Sequence, residues 1–200
     1  MVPSIAPTPA PDAAHPLPRS FHLVEDFLSA AECDAVEALF AGDVLREGRI
    51  GEGEVNPDIR RSQVRFLGRS PESAWIWDRL QTGGAAANAA AFGFDLDGPP
   101  QTPQLGEYSA GDQGHYGWHV DRGPGKVQRT RKLSVSILLT DPAAYTGGDL
   151  HLNAGGQPFQ VPRRRGQAVF FPAYVVHRVT PVFQGTRRSL VAWFGGPPFR

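Results

Sequence analysis

The first residues of this chain whose types and spacing could do chemistry are His119 and Asp121. On an extended strand, side chains two residues apart leave the same face, so both can contact one ion. A histidine and a carboxylate are two of the three ligands of the 2-His-1-carboxylate triad, which holds Fe(II) and leaves coordination positions open. His177, within the apolar strand-like stretch 169–179, is the best candidate for the third ligand. A His-x-Asp pair by itself is a weak signal, because it also occurs by chance.

A second pattern lies ten residues after His177, where Arg187 begins a strand-like segment that runs to Phe194. Alternation along a strand places Arg187, Ser189 and Val191 on one face. A guanidinium offers a bidentate fork to a carboxylate, and a serine hydroxyl beside it adds a further donor. This face is therefore suited to bind an organic acid.

Together these motifs resemble the Fe(II)- and 2-oxoglutarate-dependent dioxygenases, specifically their prolyl 4-hydroxylase-like (PKHD-type) branch. The resemblance extends from about Phe21 to Phe194. Its elements, in chain order, are Tyr108-x-x-Gly111, His119-x-Asp121, Gly147-Gly148-Asp149-Leu150, His177 and Gly185-x-Arg187-x-Ser189-Leu190-x-x-Trp193.

The resemblance implies a double-stranded β-helix (jelly-roll), an α+β but mainly β fold with N-terminal helices packed on it. It implies that His119, Asp121 and His177 hold Fe(II). Arg187 then binds the distal carboxylate of 2-oxoglutarate, with Tyr108 and Ser189 as hydrogen-bonding partners and ascorbate as a candidate reductant. Because Asp121 is a carboxylate, the implied reaction is hydroxylation with dioxygen, releasing succinate and CO2, and not halogenation.

The substrate is less clearly indicated. The resemblance favours a prolyl or other residue in a protein or peptide, and a free amino acid or small metabolite is the alternative. Trp118, Arg122 and Arg60 are the candidates for substrate contact, and the glycine-rich segment 43–58 is a candidate lid. Two other classes stay open: a cupin-like Zn or Ni protein without oxygenase activity, and a 2-oxoglutarate-sensing module.

Composition limits the remaining classes. The chain has 200 residues, with twenty basic and twenty acidic side chains, so no global charge favours nucleic acid or a membrane as partner. A single cysteine, Cys33, and the absence of a long apolar run predict a cytoplasmic protein. The six prolines in 1–20 predict a disordered tail before one domain at 21–200, and the oligomeric state is not indicated.

The N-terminal elements have local signals. A strand is predicted at 21–27, and Ser29-Ala30-Ala31-Glu32 has the form of a capping box, followed by a helix that ends at Gly42. A strand is predicted at 59–67, with Arg60, Ser62 and Val64 on one face. A second helix is predicted from Ser70-Pro71, interrupted at Gly83-Gly84, with 92–96 entering the sheet.

Later segments are mostly strands. Alternation predicts that Leu133, Val135, Ile137 and Leu139 face one side of a strand, and that the small polar residues on its other face either line the cofactor pocket or act as spacers beneath it. His115 has the same parity as His119 and is a candidate for substrate contact. Asp149 is predicted to be a solvated turn residue, and the run 163–165 of three arginines a solvated turn or a contact for acidic partners.

Overall fold

The computed structural model describes residues 20–41, 45–50 and 53–199. The predicted tail, apart from Ser20, lies outside these ranges, as do Gly42 and parts of the candidate lid. Two helices and thirteen strands occur in the described residues. Their bounds are β1 His22–Val24, α1 Ala30–Ala38, β2 Arg46–Glu47, β3 Arg60–Arg61, β4 Gln63–Phe66, α2 Ala74–Ala91, β5 Gln104–Ser109, β6 His115–His119, β7 Arg131–Leu138, β8 Tyr145–Gly147, β9 Leu150–Asn153, β10 Phe159–Gln160, β11 Ala168–Pro172, β12 Val176–Val179 and β13 Val182–Gly195.

The strands form two antiparallel sheets. The major sheet has the order β1-β11-β7-β13-β5-β4-β2, with β8 also paired to β13. The minor sheet has the order β10-β9-β12-β6-β3. Consecutive strands often lie in different sheets, as the jelly-roll predicted from the sequence requires, and the predicted fold class is confirmed.

Two hydrophobic clusters hold these layers together. The larger one joins both helices to the major sheet through residues such as Val36, Leu80 and Ile137. The smaller one lies between the sheets and combines side chains of β5, β9, β11 and β12. On β7, Leu133, Val135 and Ile137 belong to the larger cluster, whereas Ser134 bonds to Asp121 and Ser136 lines the cavity between the sheets, so the predicted alternation is confirmed.

Helix α1 begins as predicted. The Ser29 hydroxyl accepts a hydrogen bond from the Glu32 N–H (3.2 Å), and the Glu32 carboxylate accepts one from the Ser29 N–H (2.8 Å). Cys33 and Val36 are buried on the face toward the sheet. The α-helix ends at Ala38, and a 3-10 turn at Leu39–Ala41 follows it.

Helix α2 differs from the prediction both in the residue at which it begins and in its continuity. It begins at Ala74 with Ser73 as N-cap, and it continues without interruption through Gly83 and Gly84 to Ala91. A Cβ at Gly83 would overlap the ring of Phe27, and one at Gly84 the ring of Phe194. The glycines therefore allow the helix to pack closely against aromatic side chains and do not end it.

Three other predicted segments are corrected. The first strand is shorter than 21–27, and residues 92–96 form no strand, with only an isolated bridge between Asp97 and Gly195 nearby. The predicted strand 59–67 is divided at Ser62, so that β3 pairs with β6 in the minor sheet and β4 with β5 in the major sheet. Arg60, Ser62 and Val64, which were predicted to share one face, are all buried.

The arginine run 163–165 pairs within the chain. Arg163 binds Asp149 (2.7 Å), Arg164 binds Glu25 (2.7 Å), and Arg165 binds Asp34 and Glu37 (2.7 and 2.9 Å). Asp149 is half-buried and also accepts a hydrogen bond from Gln160, so it is not the solvated turn residue predicted.

Neither helix in the described residues is long and apolar enough to cross a membrane.

Candidate metal centre and cofactor pocket

The three predicted metal ligands lie together at one end of the space between the sheets. His119 ends β6 and is paired with His177 on β12, and Asp121 follows in the next loop. Their candidate ligand atoms all lie within 4.8 Å of one another. His177 Nε2 is 3.6 Å from Asp121 Oδ2. The cluster therefore has the composition and the size of a 2-His-1-carboxylate site.

Both histidines are oriented by main-chain carbonyls. His119 Nδ1 lies 2.8 Å from Gly117 O, and His177 Nδ1 lies 3.0 Å from Val175 O. Because a carbonyl only accepts, each Nδ1 must carry a proton, and the lone pair of the neutral ring is then on Nε2. This is the arrangement by which metal-binding histidines are commonly held.

Asp121 is held from β7 and from its own main chain. Ser134 Oγ donates to Asp121 Oδ2 (2.7 Å), the Asp121 N–H donates to Ala173 O (3.0 Å), and Arg131 donates to the Asp121 carbonyl (3.2 Å). The sequence left open whether the small polar face of β7 lines the pocket or lies beneath it. That Ser134 bonds to the carboxylate of a candidate ligand could not be seen in the sequence.

Electrostatics favour the protonation states that a divalent cation needs. Burial, and to a smaller extent the neighbouring His177, lower the pKa of His119 to about 3, so the ring is neutral. Burial alone would raise the pKa of Asp121, but attraction to the two histidines in their protonated form and the hydrogen bond from the Ser134 hydroxyl outweigh it, so the pKa is lowered. Neutral imidazole and ionised carboxylate are the forms that bind metals, so these residues fit Fe(II).

A bulge in β6 changes which side chains face the pocket. His119 pairs with His177 but Tyr116 pairs with Val179, so residues 117 and 118 of β6 oppose the single residue 178 of β12. Tyr116 therefore turns toward His119 and stacks on its ring at 3.5 Å. His115, predicted to share the face of His119, instead lies near the carbonyls of Gln113 and Asp58 and does not line the pocket.

Arg187 lies on the major sheet and is only 3% exposed. Its Nη1 donates to Ser189 Oγ (3.1 Å), and its guanidinium lies 5.5 Å from the ring centre of Tyr108, the residue paired with it on β5. Among the described residues, no carboxylate lies within ion-pair distance of it. A buried guanidinium without an anionic neighbour is costly, so this site fits a carboxylate ligand such as 2-oxoglutarate.

Two further residues complete the surroundings of Arg187. Gly148 has a φ of +63°, and a Cβ there would also meet Val182 (2.9 Å) and the Arg187 side chain (3.0 Å), which together account for the second glycine of the Gly147-Gly148 motif. Burial raises the pKa of Tyr145, and nearby Arg187 opposes that rise. No motif in the sequence pointed to Tyr145.

One cavity of about 1230 Å³ connects these parts. It is lined by the three candidate ligands, by Tyr108, Arg187 and Ser189, and by Arg60 among the predicted substrate residues. Trp118 and Arg122 are outside the lining. Trp118 is 41% exposed beneath the Arg178 guanidinium, and Arg122 lies against Phe199 and donates to the Arg131 carbonyl.

A jelly-roll with a His-Asp-His cluster and a buried arginine in one cavity defines the class of Fe(II)- and 2-oxoglutarate-dependent oxygenases. The family model of the 2OG-Fe(II) oxygenase superfamily matches residues 103–195. The chain belongs to the PKHD-type hydroxylases of this superfamily. It is 34% identical over 180 residues to such a hydroxylase of Nitrobacter winogradskyi, a match that covers 86% of this chain and 76% of the relative.

Another relative and two solved structures are also similar to this chain. A PKHD-type hydroxylase of Paraburkholderia phymatum is 31% identical over 178 residues, covering 85% of this chain and 76% of the relative. The fold is similar to that of a Trichoplax adhaerens prolyl hydroxylase in complex with a peptide fragment of hypoxia inducible factor (16% identity, TM-score 0.73, covering 88% and 83%). It is also similar to a Pseudomonas putida prolyl-4-hydroxylase (24% identity, TM-score 0.66, covering 88% and 92%). The protein is therefore a 2-oxoglutarate-dependent dioxygenase whose cofactors are Fe(II) and 2-oxoglutarate.

Proposed function

We propose that the single domain predicted at residues 21–200 hydroxylates a C–H bond of a prolyl residue in a protein or peptide and converts 2-oxoglutarate to succinate and CO2. The observation that carries this proposal is the shared cavity, which has the candidate metal ligands and the buried Arg187 in its wall. Together they could hold a metal and the acid that must chelate it.

Each residue has a distinct part in this proposal. His119, Asp121 and His177 hold Fe(II), with Ser134 and the two main-chain carbonyls fixing their directions. Arg187 binds the distal carboxylate of 2-oxoglutarate, assisted by Ser189 and by Tyr108. When bound, Fe(II) with 2-oxoglutarate and dioxygen supplies the oxidising chemistry, and the protein orients the reactants and limits the access of water. Ascorbate, as an additional reductant, stays a prediction.

The choice of a polypeptide substrate rests on the cavity and on a structural relative. Small-molecule pockets typically have volumes of about 300–1,000 Å³. The cavity here is larger, at about 1230 Å³, and reaches from the candidate metal ligands to β2 and to residues 123–128. The Trichoplax relative was solved with a peptide. Hydroxylation of a free amino acid is the alternative, whereas membership of the family speaks against a cupin-like non-oxygenase or a sensing module.

The test is an anaerobic titration of the apoprotein with Fe(II) and 2-oxoglutarate, followed by measurement of succinate in air. We expect a visible charge-transfer band that requires both ligands. His119→Ala and Asp121→Ala should abolish the band and succinate formation. Arg187→Ala should raise the 2-oxoglutarate concentration needed about tenfold or more, because a charge-assisted contact worth about 1.5–3 kcal/mol is lost.

His151→Ala is the matched control, because His151 lies on β9 of the same sheet and outside the cavity lining. It should leave the band unchanged. An unaltered band or unaltered succinate formation in a folded His119→Ala protein would contradict the metal site.

A further inference from the structure

The wall of the cavity is strongly basic, although the whole chain has as many acidic as basic residues. Besides Arg187, the described lining contains these cationic residues: Arg46, Arg49, Arg60, Arg65, Lys126 and Arg131. Its acidic residues are Glu47 and the candidate ligand Asp121. The cavity wall thus carries an excess of positive charge that the whole chain does not have.

Among the described residues, three arginines of this wall lack the carboxylate partner that six arginines outside the cavity have. Arg60 donates to Ser62 Oγ (2.8 Å) and to the Arg49 carbonyl (2.9 Å), and Arg49 donates to the Gly53 carbonyl (3.1 Å). In the described part of the chain, neither Arg60, Arg49 nor Arg46 forms an ion pair with a carboxylate. Outside the cavity, by contrast, ion pairs are formed by Arg69, Arg79, Arg163, Arg164, Arg165 and Arg188.

Arg60 is the best placed of these cations to act on substrate. It is only 6% exposed, so a charge there is costly without an anion nearby. Its guanidinium lies 4.5 Å from the ring centre of Tyr116, which in turn stacks on the candidate ligand His119. An anion bound by Arg60 would therefore lie close to the reacting centre.

We propose that the substrate is an acidic peptide, in which an Asp or Glu side chain near the hydroxylated residue binds Arg60 while Arg49 and Arg46 attract further negative charge at the entrance. This inference rests on the proposed function and specifies which kind of peptide sequence the enzyme accepts. Arg46 and Arg49 are exposed, so they act as a charged rim and leave Arg60 as the specific contact.

The test compares three fluorescein-labelled peptides that are identical except that a single proline is flanked by Glu, by Gln or by Lys. Binding is measured by anisotropy to the anaerobic protein loaded with Fe(II) and 2-oxoglutarate. We expect the Glu peptide to bind about tenfold or more tightly than the Gln peptide, with a preference that falls as salt is added.

Arg60→Gln should remove most of this preference, so that the Glu and Gln peptides bind this variant with similar affinity. Replacing the buried Arg60 could also disturb folding, so a double variant at two exposed positions, Arg46→Gln with Arg49→Gln, is measured as well. It should reduce the preference for the Glu peptide in part. Arg49→Glu should strengthen binding of the Lys peptide. Arg69→Gln removes the same charge from an arginine that pairs with Asp78 outside the cavity, and should have no effect.

Equal binding of the Glu and Gln peptides, or a preference that survives in the folded variants, would overturn the inference. The α-amide of N-acetylglutamate is a small molecule with a single acidic side chain. If an equimolar amount of it displaced the Glu peptide, the substrate would be a small acid and the inference of an acidic peptide would be overturned. The charge-transfer band is recorded on the same samples. If the band is present without a charge preference, only this inference fails, whereas the absence of the band contradicts the proposed function itself.

Discussion

At the scale of residues, the candidate metal site is held mainly by hydrogen bonds that do not involve the metal. Gly117 O and Val175 O orient the two histidines, and Ser134 orients Asp121. Such preorganisation reduces the cost of binding, because the ligands need not be ordered when the metal arrives. Ser134 is therefore a positioning residue for the iron site.

We predict that Ser134→Ala weakens Fe(II) binding about 10–100-fold, the usual effect of losing a hydrogen bond to a metal ligand. An anaerobic competition titration against a chromophoric chelator measures this affinity. The 2-oxoglutarate requirement at saturating Fe(II) should stay unchanged, since Arg187 is untouched. Ser70→Ala, which removes a hydroxyl near the start of α2, is the control. Equal Fe(II) affinity in the Ser134 and Ser70 variants would rule out the positioning role.

At the scale of elements, the close packing of α2 on the major sheet depends on two glycines. Alanine is the better helix former by about 1 kcal/mol, so propensity alone favours Gly84→Ala. A Cβ at this position would overlap the ring of Phe194, which belongs to the core shared with β13. Steric overlap in a packed core outweighs the gain in propensity.

We predict that Gly84→Ala lowers the free energy of unfolding by about 1–3 kcal/mol, the usual cost of overpacking. Urea denaturation monitored by circular dichroism measures it. Gly68→Ala is the control, because a Cβ there meets no atom within 4 Å. A Gly84→Ala protein as stable as the Gly68→Ala protein would show that the helix can move away from the sheet at little cost.

The start of α1 predicts a pH dependence. The main-chain N–H of Ser29 lowers the pKa of Glu32, and Arg79 (2.5 Å) lowers it further. A lowered pKa in the folded state means that this stabilisation is present above the unfolded pKa, about 4.3, and is lost as the pH falls through the folded value. The stability difference between the wild type and Glu32→Gln should therefore be largest near pH 7 and shrink below about pH 4.5. Urea titrations across this range would contradict the assignment if the difference were constant.

At the scale of the whole molecule, the cofactor pocket lies between two sheets that are joined by the smaller hydrophobic cluster. A ligand that contacts both sheets binds only the folded state and stabilises it by mass action. The metal ligands are on the minor sheet and the loop after it, whereas Arg187 is on the major sheet. Occupation of the site thus couples the two sheets.

We predict that Mn(II), used as a redox-stable substitute, and 2-oxoglutarate at about 100 times their dissociation constants each stabilise the protein by about 2.7 kcal/mol. For a chain of this size, each increment raises the Tm by about 5–10 °C in a scanning fluorimetry experiment. Arg187→Ala should keep the Mn(II) increment and lose most of the 2-oxoglutarate increment. Loss of both increments in that variant would mean that Arg187 supports the fold and not only the acid.

The sequence alone determined the features that depend on local geometry. Strand alternation has a fixed period of two, so it correctly placed Arg187 beside Ser189 and separated the two faces of β7. The capping box of α1 is likewise a contact between residues three apart. The resemblance, which rests on several motifs in a fixed order along the chain, was enough to predict the family and its cofactors.

Only the tertiary structure decided the features that depend on residues distant in the chain. The bulge in β6 is set by its pairing with β12, and it brings Tyr116 and not His115 beside His119. The continuity of α2 is set by aromatic rings that pack on its glycines, and the bond from Ser134 to Asp121 by the approach of β7 to a loop. Local signals cannot encode these contacts, because each depends on which distant partner a segment meets after the chain has folded.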